Sequence, residues 1–256
     1  MRTKESVSYK TSRGKLPRDM VYDHIIKKIL DGSIQFGARL PEPAIAAELG
    51  VSRTPVHDAL TKLVNKGIAV HTPGGGVFLR EITRSDLKDT MELRRIYEMY
   101  AVGVAAERCP PFLFAKMRES CDMMRELGES IRSDSLSMSE QWHIKNRAEI
   151  VFHLSIIQTT GNNQLIRSFS DTMLMAKTLC PFGPDYRDIA LKVLSHTYWE
   201  HRKILHMIEK GRKAQVVAQM ERHINAALRT TLADYDRQNP VPVSEEPIMD
   251  LYDSLT

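Results

Sequence analysis

The stretch LGVSRTPVHDAL, residues 49–60, decides the fold because it carries signals for a turn followed by a short helix. Gly50 ends one helix, since a residue without a Cβ tolerates the left-handed turn conformation at low cost. Ser52 is expected to cap the next helix by accepting a hydrogen bond from an unpaired backbone amide. Pro55 fits the first helical turn, where its missing N–H does little harm. The stretch therefore predicts the turn and recognition helix of a helix-turn-helix.

The helix after this turn has two unlike faces. Apolar residues recur at helical spacing along one of them, namely Val56, Ala59, Leu60, Leu63 and Val64. The other face carries the polar residues Arg53, Thr54, His57 and Thr61. The major groove of DNA receives a short helix of this kind. A capped helix with one apolar stripe is also typical of an ordinary surface helix. The neighbouring segments must therefore show whether this helix is a recognition helix.

The composition is that of an ordinary globular protein, with 42% hydrophobic and 27% charged residues in a chain of 256. This length allows one large domain or two modest ones. No uninterrupted apolar run reaches the ~18 residues of a membrane span, and the polar N-terminus has no apolar segment typical of a secretory signal. The three cysteines are widely spaced and form no CxxC pair. We therefore expect a cytoplasmic protein without a membrane partner.

The net charge of +4 becomes informative when the chain is divided. Residues 1–80 hold 13 basic and 7 acidic side chains, whereas the remainder holds 23 basic and 25 acidic ones. The positive excess thus lies in the N-terminal third, where it would attract a phosphate backbone. A solvated basic tail accounts for part of the excess, since residues 1–18 carry six of the basic residues.

Secondary-structure signals divide the chain into two parts. Helices are predicted at 17–31, 41–49 and 52–66, the first of them stopped by Gly32. Two short apolar runs, 68–70 and 77–79, then flank Thr72-Pro-Gly-Gly-Gly76, which predicts a hairpin. Three helices followed by a hairpin make a winged helix. From Arg84 onwards the chain reads as helices with short connections, typical of an antiparallel bundle, at 84–108, 110–128, 138–160, 163–179, 188–210 and 212–236.

Four residues of the helical part have a spacing that suits a metal ion. Glu149 and His153 are four residues apart and share one helix face, while His201 and His223 lie near the middle of later helices. Such carboxylate and imidazole donors can enclose Zn²⁺, Ni²⁺ or Mn²⁺ and do not choose among them. The spacing alone is weak, because a histidine on a helix is more often capped or exposed.

Together these segments resemble the GntR family of bacterial transcriptional regulators. The resemblance rests on Gly37-Ala-Arg-Leu-Pro41, Ile45-Ala46, Leu49–Val56, Ala59-Leu60, Leu63, Gly67 and the glycine-containing wing. The helical part resembles the FCD effector domain of the FadR subfamily, through Glu92-Leu-Arg94, Glu98, Phe152-His153, Glu200-His201 and Ile204-Leu205.

The resemblance covers residues 17–236 and implies a mostly α protein with an N-terminal winged helix-turn-helix and a C-terminal all-α antiparallel bundle. It divides the chain into a disordered basic tail 1–16, a DNA-binding domain 17–80, a linker 81–83, an effector-binding and dimerisation domain 84–238, and a flexible tail 239–256.

The resemblance also implies which residues contact DNA. Arg53 has the strongest role, at a base edge or a phosphate, and is followed by Thr54 and His57. The wing glycines Gly75 and Gly76 would let the hairpin approach the DNA backbone or minor groove. The other expected contacts are Arg39, Ser52, Thr61 and Lys62. The chain departs from the family in having His57 and Pro43 where arginine is common, so we expect an operator different from the family's commonest one.

For the bundle, the resemblance implies a metal bound by an aspartate, a histidine four residues later and two further histidines. These positions are Glu149, His153, His201 and His223, with glutamate replacing the usual aspartate. Zn²⁺ is the expected ion, with Ni²⁺ or Mn²⁺ as alternatives. Arg94 is expected to bind the carboxylate of an effector through its planar fork. The alternative for Arg94 is a surface ion pair with Glu98, four residues away.

The sequence thus predicts a homodimeric regulator, a repressor rather than an enzyme, that binds a palindromic operator and responds to a small organic acid. Two alternatives stay open at this point. One is a metal-dependent enzyme acting on a small carboxylate, because a histidine site with open positions can activate water. The other is a regulator whose metal is purely structural and whose effector binds elsewhere.

Overall fold

The computed structural model describes residues 16–30, 33–178 and 186–239. The expected tails before residue 16 and after Asn239 lie outside these ranges, as do the Gly32 stop and the break at Cys180–Pro184. Within the described ranges, no helix combines the length and apolar character needed to span a membrane.

The N-terminal part is a winged helix-turn-helix, as the sequence predicts. Its elements are α1 Pro17–Leu30, α2 Glu42–Leu49, α3 Arg53–Asn65, β1 Ala69–His71 and β2 Val77–Leu79. The two strands are antiparallel, with Val70 opposite Phe78. The segment before α2 pairs with the other edge of β2, where the amide of Leu40 donates to the carbonyl of Val77 at 2.8 Å. This edge joins the wing to the helices.

The apolar face of α3 holds this part together. Val56, Ala59, Leu60 and Leu63 are buried and pack in one cluster with residues of α1 and both strands. Burial of such side chains stabilises the fold by about 1.5–3 kcal/mol each. Because this face points inwards, the opposite face of α3 is left outside.

The turn before α3 confirms one prediction and corrects another. Gly50 has φ +64°, the left-handed conformation that glycine adopts at low cost. Ser52 is the residue before α3, but its side chain makes no capping hydrogen bond. A cap accepts from the second or third helical amide, and the third residue here is Pro55, which has no N–H. The predicted Ser52 cap is therefore wrong.

The C-terminal part is an all-α bundle. Its helices are α4 Arg84–Arg108, α5 Pro111–Arg132, α6 Met138–Gln158, α7 Asn163–Thr178, α8 Tyr186–Glu209 and α9 Lys213–Gln238. Thr83 and Ser137 begin α4 and α6 with reciprocal capping boxes. The helix α5 continues past the predicted end at Gly128, because this glycine is buried beside Leu194 of α8 rather than placed in a turn.

The core of the bundle surrounds the middle of α6. Phe152 and Ile156 are fully buried there, together with Phe169 of α7 and Ile204 of α8. The two parts of the molecule also touch, since Lys66 at the end of α3 forms an ion pair with Asp171 of α7. These observations confirm a mostly α fold, with a winged helix-turn-helix followed by a helical bundle.

Candidate DNA interface and metal centre

The outer edge of α3 presents a group of polar side chains at its N-terminal end. Arg53, Thr54 and His57 are exposed there, and Ser52 is exposed just before the helix. His57 is 63% exposed, and its Nδ1 lies 2.9 Å from Oε1 of Glu42 on α2. A carboxylate thus orients the ring that replaces the family's common arginine, a contact that the sequence did not indicate.

The wing supplies a second part of this surface. Gly74, Gly75 and Gly76 have φ values of +99°, +100° and +135°, which other residues rarely adopt. A Cβ on Gly76 would lie 3.2 Å from Nε of Arg39, so the arginine side chain rests directly against the wing. Arg39 and the glycines are therefore neighbours, although 36 residues separate Arg39 from Gly75.

Two predicted DNA contacts have other surroundings. Thr61 is half-buried, and Lys62 donates from Nζ to Asp19 of α1 at 3.2 Å. The Lys62 ammonium also lies 4.2 Å from the centroid of the Tyr22 ring. Lys62 thus faces α1 and is not brought together with Arg53. Its part in DNA binding stays a prediction.

Three buried histidines from three helices converge in the bundle. His153 of α6, His201 of α8 and His223 of α9 place their candidate ligand atoms within 4.8 Å of one another. The Nε2 atoms of His153 and His223 are 3.4 Å apart. Glu149, one turn before His153, has its Oε2 3.8 Å from Nε2 of His153. All four residues proposed as ligands are therefore gathered in one place.

Two of these histidines are held by carboxylates that the sequence did not single out for this role. Nδ1 of His153 is hydrogen-bonded to Glu98 of α4, and Nδ1 of His223 lies 2.7 Å from Oε2 of Glu200 on α8. One signal for Glu98 was available in the sequence. It belongs to a stripe along α4 whose other buried members include Leu87, Met91, Ala101 and Ala105.

His201 differs from the other two histidines. Its ring stacks on Phe152, with centroids 3.8 Å apart and planes 3° apart. Both of its ring nitrogens are buried, and neither has a hydrogen-bond partner among the described residues. Because an unpaired buried polar atom is costly, this ring is suited to a ligand that the protein itself does not provide.

Burial keeps the imidazoles of His153 and His201 in the neutral state that binds metals. Burial lowers the pKa of His153 to about 4, although Glu98 opposes the shift, and burial lowers the pKa of His201 well below its usual range. Burial alone would raise the pKa of Glu98, but Arg94 and His153 outweigh it and lower this pKa to about 2. At neutral pH the rings of His153 and His201 are therefore neutral and Glu98 is ionised.

Arg94 forms the predicted pair with Glu98, but the pair is buried rather than on the surface. The Arg94 Nε donates to Oε1 of Glu98 at 2.6 Å, and the arginine is only 4% exposed. The stripe along α4 turns both residues into the bundle, which corrects the surface alternative. The two terminal nitrogens of the guanidinium lie outside this hydrogen bond.

These features define a class of protein, a winged-helix DNA-binding protein with a helical domain built around a histidine centre. Residues 17–79 match the gntR family of bacterial regulatory proteins, and residues 89–226 match the FCD domain. The chain belongs to the GntR family and carries an FCD domain. It is a transcriptional regulator, not an enzyme.

Relatives of known name are regulators as well. The chain is 28% identical to the Nta operon transcriptional regulator of Aminobacter aminovorans, over 75% of this chain and 85% of that one. It is 24% identical to the transcriptional regulator LutR of Bacillus subtilis, over 82% and 99%. A 26% identical protein of Paenarthrobacter nicotinovorans, over 82% and 87%, is named "Probable D-xylose utilization operon transcriptional repressor".

A solved structure shows the same fold. The E. coli protein McbR/YncC superposes with a TM-score of 0.68 at 18% identity, covering 87% of this chain and all of the other.

Proposed function

We propose that this regulator binds operator DNA through α3 and the wing, and that a small carboxylate bound beside a metal ion in the bundle controls its affinity. The observation that carries the proposal is the convergence of His153, His201 and His223 in the interior. A cluster of three buried imidazoles has no evident use in packing alone, and one of the rings has no hydrogen-bond partner for either nitrogen in the described part of the chain.

One distance in the cluster is the distance that a tetrahedral ion requires. Two nitrogen ligands, each about 2.0–2.1 Å from a tetrahedral zinc, lie about 3.3–3.4 Å apart. The Nε2 atoms of His153 and His223 are separated by 3.4 Å. Glu149 would complete the four protein ligands, and nitrogen and oxygen donors suit Zn²⁺ first, with Ni²⁺ or Mn²⁺ as alternatives.

Formal charges point the same way. Glu98, Glu149 and Glu200 surround the imidazoles, and Arg94 is the buried guanidinium among them. Each of these three carboxylates has an oxygen close to a ring nitrogen of His153 or His223, and negative charge around a site favours a bound cation.

Two buried polar groups support a carboxylate as the effector. The terminal nitrogens of Arg94 form a fork that matches a carboxylate, and they are not used by Glu98. Asn146 lies one turn before Glu149 on α6, and its buried Nδ2 has no partner among the described residues. When bound, the metal supplies a positive charge that attracts an acid to the same place.

For DNA binding, each protomer would insert the N-terminal end of α3 into one major groove. Arg53, Thr54 and His57 would read base edges, Ser52 and Thr61 would flank them, and the wing with Arg39, Gly75 and Gly76 would contact the adjacent backbone. A two-fold dimer requires a palindromic operator. Release of the operator upon effector binding would make the protein a repressor, which is the role that the name of one relative gives to that protein. Such a regulator would act in the cytoplasm.

The dimer face we favour lies on α4. Leu93, Ile96 and Tyr100 are 45%, 56% and 57% exposed and follow one another at helical spacing. An apolar stripe of this kind is typical of an interface between copies of a chain. Changing Ile96→Glu should shift the molar mass measured by light scattering from dimer towards monomer, whereas Lys88→Glu, on an exposed position of the same helix, should not.

The experiment begins with duplexes selected by the protein from a random DNA pool. Affinity for a selected duplex is then measured on metal-loaded protein, of assayed metal content, with a panel of hydroxy acids, sugar acids and amino acids. We expect one class of acid to weaken DNA binding, and Arg94→Gln to remove this response while Arg108→Gln on the same helix retains it. No selected duplex, or no response to any acid, would contradict the proposal.

A purely structural metal makes a different prediction in the same experiment. Its removal would lower the thermal stability strongly, but the remaining folded protein would keep its affinity for the acid. Loss of acid binding upon metal removal, at a temperature where the protein stays folded, supports the effector site instead.

A further inference from the structure

We propose that Glu98 and Glu200 are positioning residues, which fix the rings of His153 and His223 so that Nε2 of each faces the metal. The inference rests on the metal site proposed above. It concerns two carboxylates that come from different helices, α4 and α8, and that contact two histidines from two others, α6 and α9.

The same arrangement occurs at both histidines. Each carboxylate is bonded to Nδ1 of its ring, Glu98 to His153 and Glu200 to His223, the latter at 2.7 Å. An ionised carboxylate only accepts hydrogen bonds, so Nδ1 must carry the proton. An imidazole that binds a metal has one N–H at most, and with this proton on Nδ1 each ring offers the lone pair of Nε2 to an ion. The carboxylates also make Nε2 a more basic ligand.

The distance between the two rings strengthens this argument. With protons on Nδ1, the bare Nε2 atoms of His153 and His223 face each other at 3.4 Å. Two lone pairs at this distance repel unless a cation lies between them. The carboxylates thus hold the rings in an arrangement that is unfavourable without an ion and favourable with one.

His201 reaches the cluster without such help. It is oriented by its stack on Phe152, 3.8 Å between centroids, and no hydrogen bond fixes its tautomer within the described chain. The centre therefore combines two ligands positioned by carboxylates and one positioned by packing. Loss of either carboxylate should weaken metal binding without removing a ligand.

A substitution of Glu200 tests the proposal more clearly than a substitution of Glu98. Glu98 is completely buried and is paired with Arg94, so Glu98→Gln leaves an unbalanced guanidinium and endangers folding. The Glu200 side chain is 13% exposed, and His196 lies near its other oxygen at 3.4 Å. Glu200→Gln keeps the size of the side chain, removes its charge and allows either tautomer of His223, because an amide both donates and accepts.

The experiment compares the wild-type chain with Glu200→Gln and with the control Glu209→Gln, an exposed position on the same helix. Zinc affinity is measured by competition with a chelating dye, and nitrogen NMR of the metal-free proteins reports the tautomer of His223. We expect Glu200→Gln to bind zinc about tenfold to hundredfold more weakly with unchanged stoichiometry. We also expect it to lose the preference for a proton on Nδ1, whereas Glu209→Gln matches the wild type.

The outcomes separate this inference from the metal site itself. If the wild-type chain binds zinc and Glu200→Gln binds it within about twofold as tightly, with the same tautomer, the positioning role is wrong and the metal site stands. If the wild-type chain binds no zinc, the metal site and the positioning role both fail. A weaker affinity with an unchanged tautomer would also overturn the inference, because a merely structural effect would account for it.

Discussion

The outer edge of α3 and the histidine centre differ in the exposure of their candidate binding residues. Arg53, Thr54 and His57 are exposed, and the fold depends on the other face of their helix. His153 and His201 are completely buried, and their neighbours include charges that need compensation. A change at the first surface should therefore alter binding and leave folding intact, whereas a change at the second should alter both.

Metal removal should give the largest effect. An ion that binds only the folded state and is present at about 1,000 times its Kd stabilises that state by about 4 kcal/mol. Urea unfolding of the loaded protein, before and after treatment with a chelator, should show a loss of this size that added zinc reverses. His206→Ala, at an exposed histidine on α8, should respond like the wild type. Equal unfolding midpoints with and without metal would contradict the contrast between the two regions.

Acid should destabilise the metal-free protein, because the buried ring of His153 resists protonation. The folded-state pKa of His153 is about 4, below its ordinary 6.5, so between these values the unfolded chain binds a proton that the folded chain does not. Stability is therefore retained above pH 6.5 and lost as the pH falls towards 4, by at most about 3 kcal/mol. Glu98, with a pKa of about 2, adds a loss of the same sign at lower pH.

Urea midpoints of the metal-free protein at pH 7.0, 6.0 and 5.0 measure this effect. Circular dichroism should show the folded baseline at each pH before urea is added. A midpoint that rises as the pH falls through this window would mean that the folded state takes up the protons, and the buried state of His153 would then be wrong.

Arg53→Ala should have a smaller effect, which is limited to the affinity for DNA. Loss of a base-reading arginine costs about 1–3 kcal/mol of binding, which is roughly fivefold to 150-fold in affinity. The unfolding midpoint should stay unchanged because the side chain is exposed. Fluorescence anisotropy with a selected duplex measures the affinity, and Arg229→Ala, exposed on α9, is the matched control. A lowered unfolding midpoint would contradict the expectation that changes on the outer edge of α3 leave folding intact.

The fold could be predicted from the sequence because local signals agreed with one another. Local sequence specifies the local backbone at Gly50, in the apolar stripe of α3 and at the glycines before β2. Two helices of the bundle end near Gly161 and Gly211, which both have a left-handed φ. The missing cap at Ser52 has a local cause as well. The third residue of α3, whose amide a cap can use, is Pro55, and proline has no N–H.

For the histidine centre, the sequence predicts the residues that we propose as ligands but not the residues that surround them. Glu149 and His153 share a helix face, which the sequence states directly. The roles of Glu98 and Glu200 depend on how α4 packs on α6 and how α8 packs on α9, and no spacing within one helix reports such contacts. Their surroundings, including the stack of His201 on Phe152, come from the tertiary structure alone.

The smallest predicted effect concerns an ion pair between the end of α3 and the bundle, Lys66 with Asp171. The Asp171 side chain is 54% exposed, and exposed pairs contribute at most about 1 kcal/mol. A double-mutant cycle with Lys66→Met and Asp171→Asn should give a coupling energy below this value in urea unfolding. The same cycle measured on DNA affinity tests whether the pair connects the regions. A coupling well above 1 kcal/mol in either measurement would mean that the α3 surface and the bundle act as one unit, and that the separation of their roles is wrong.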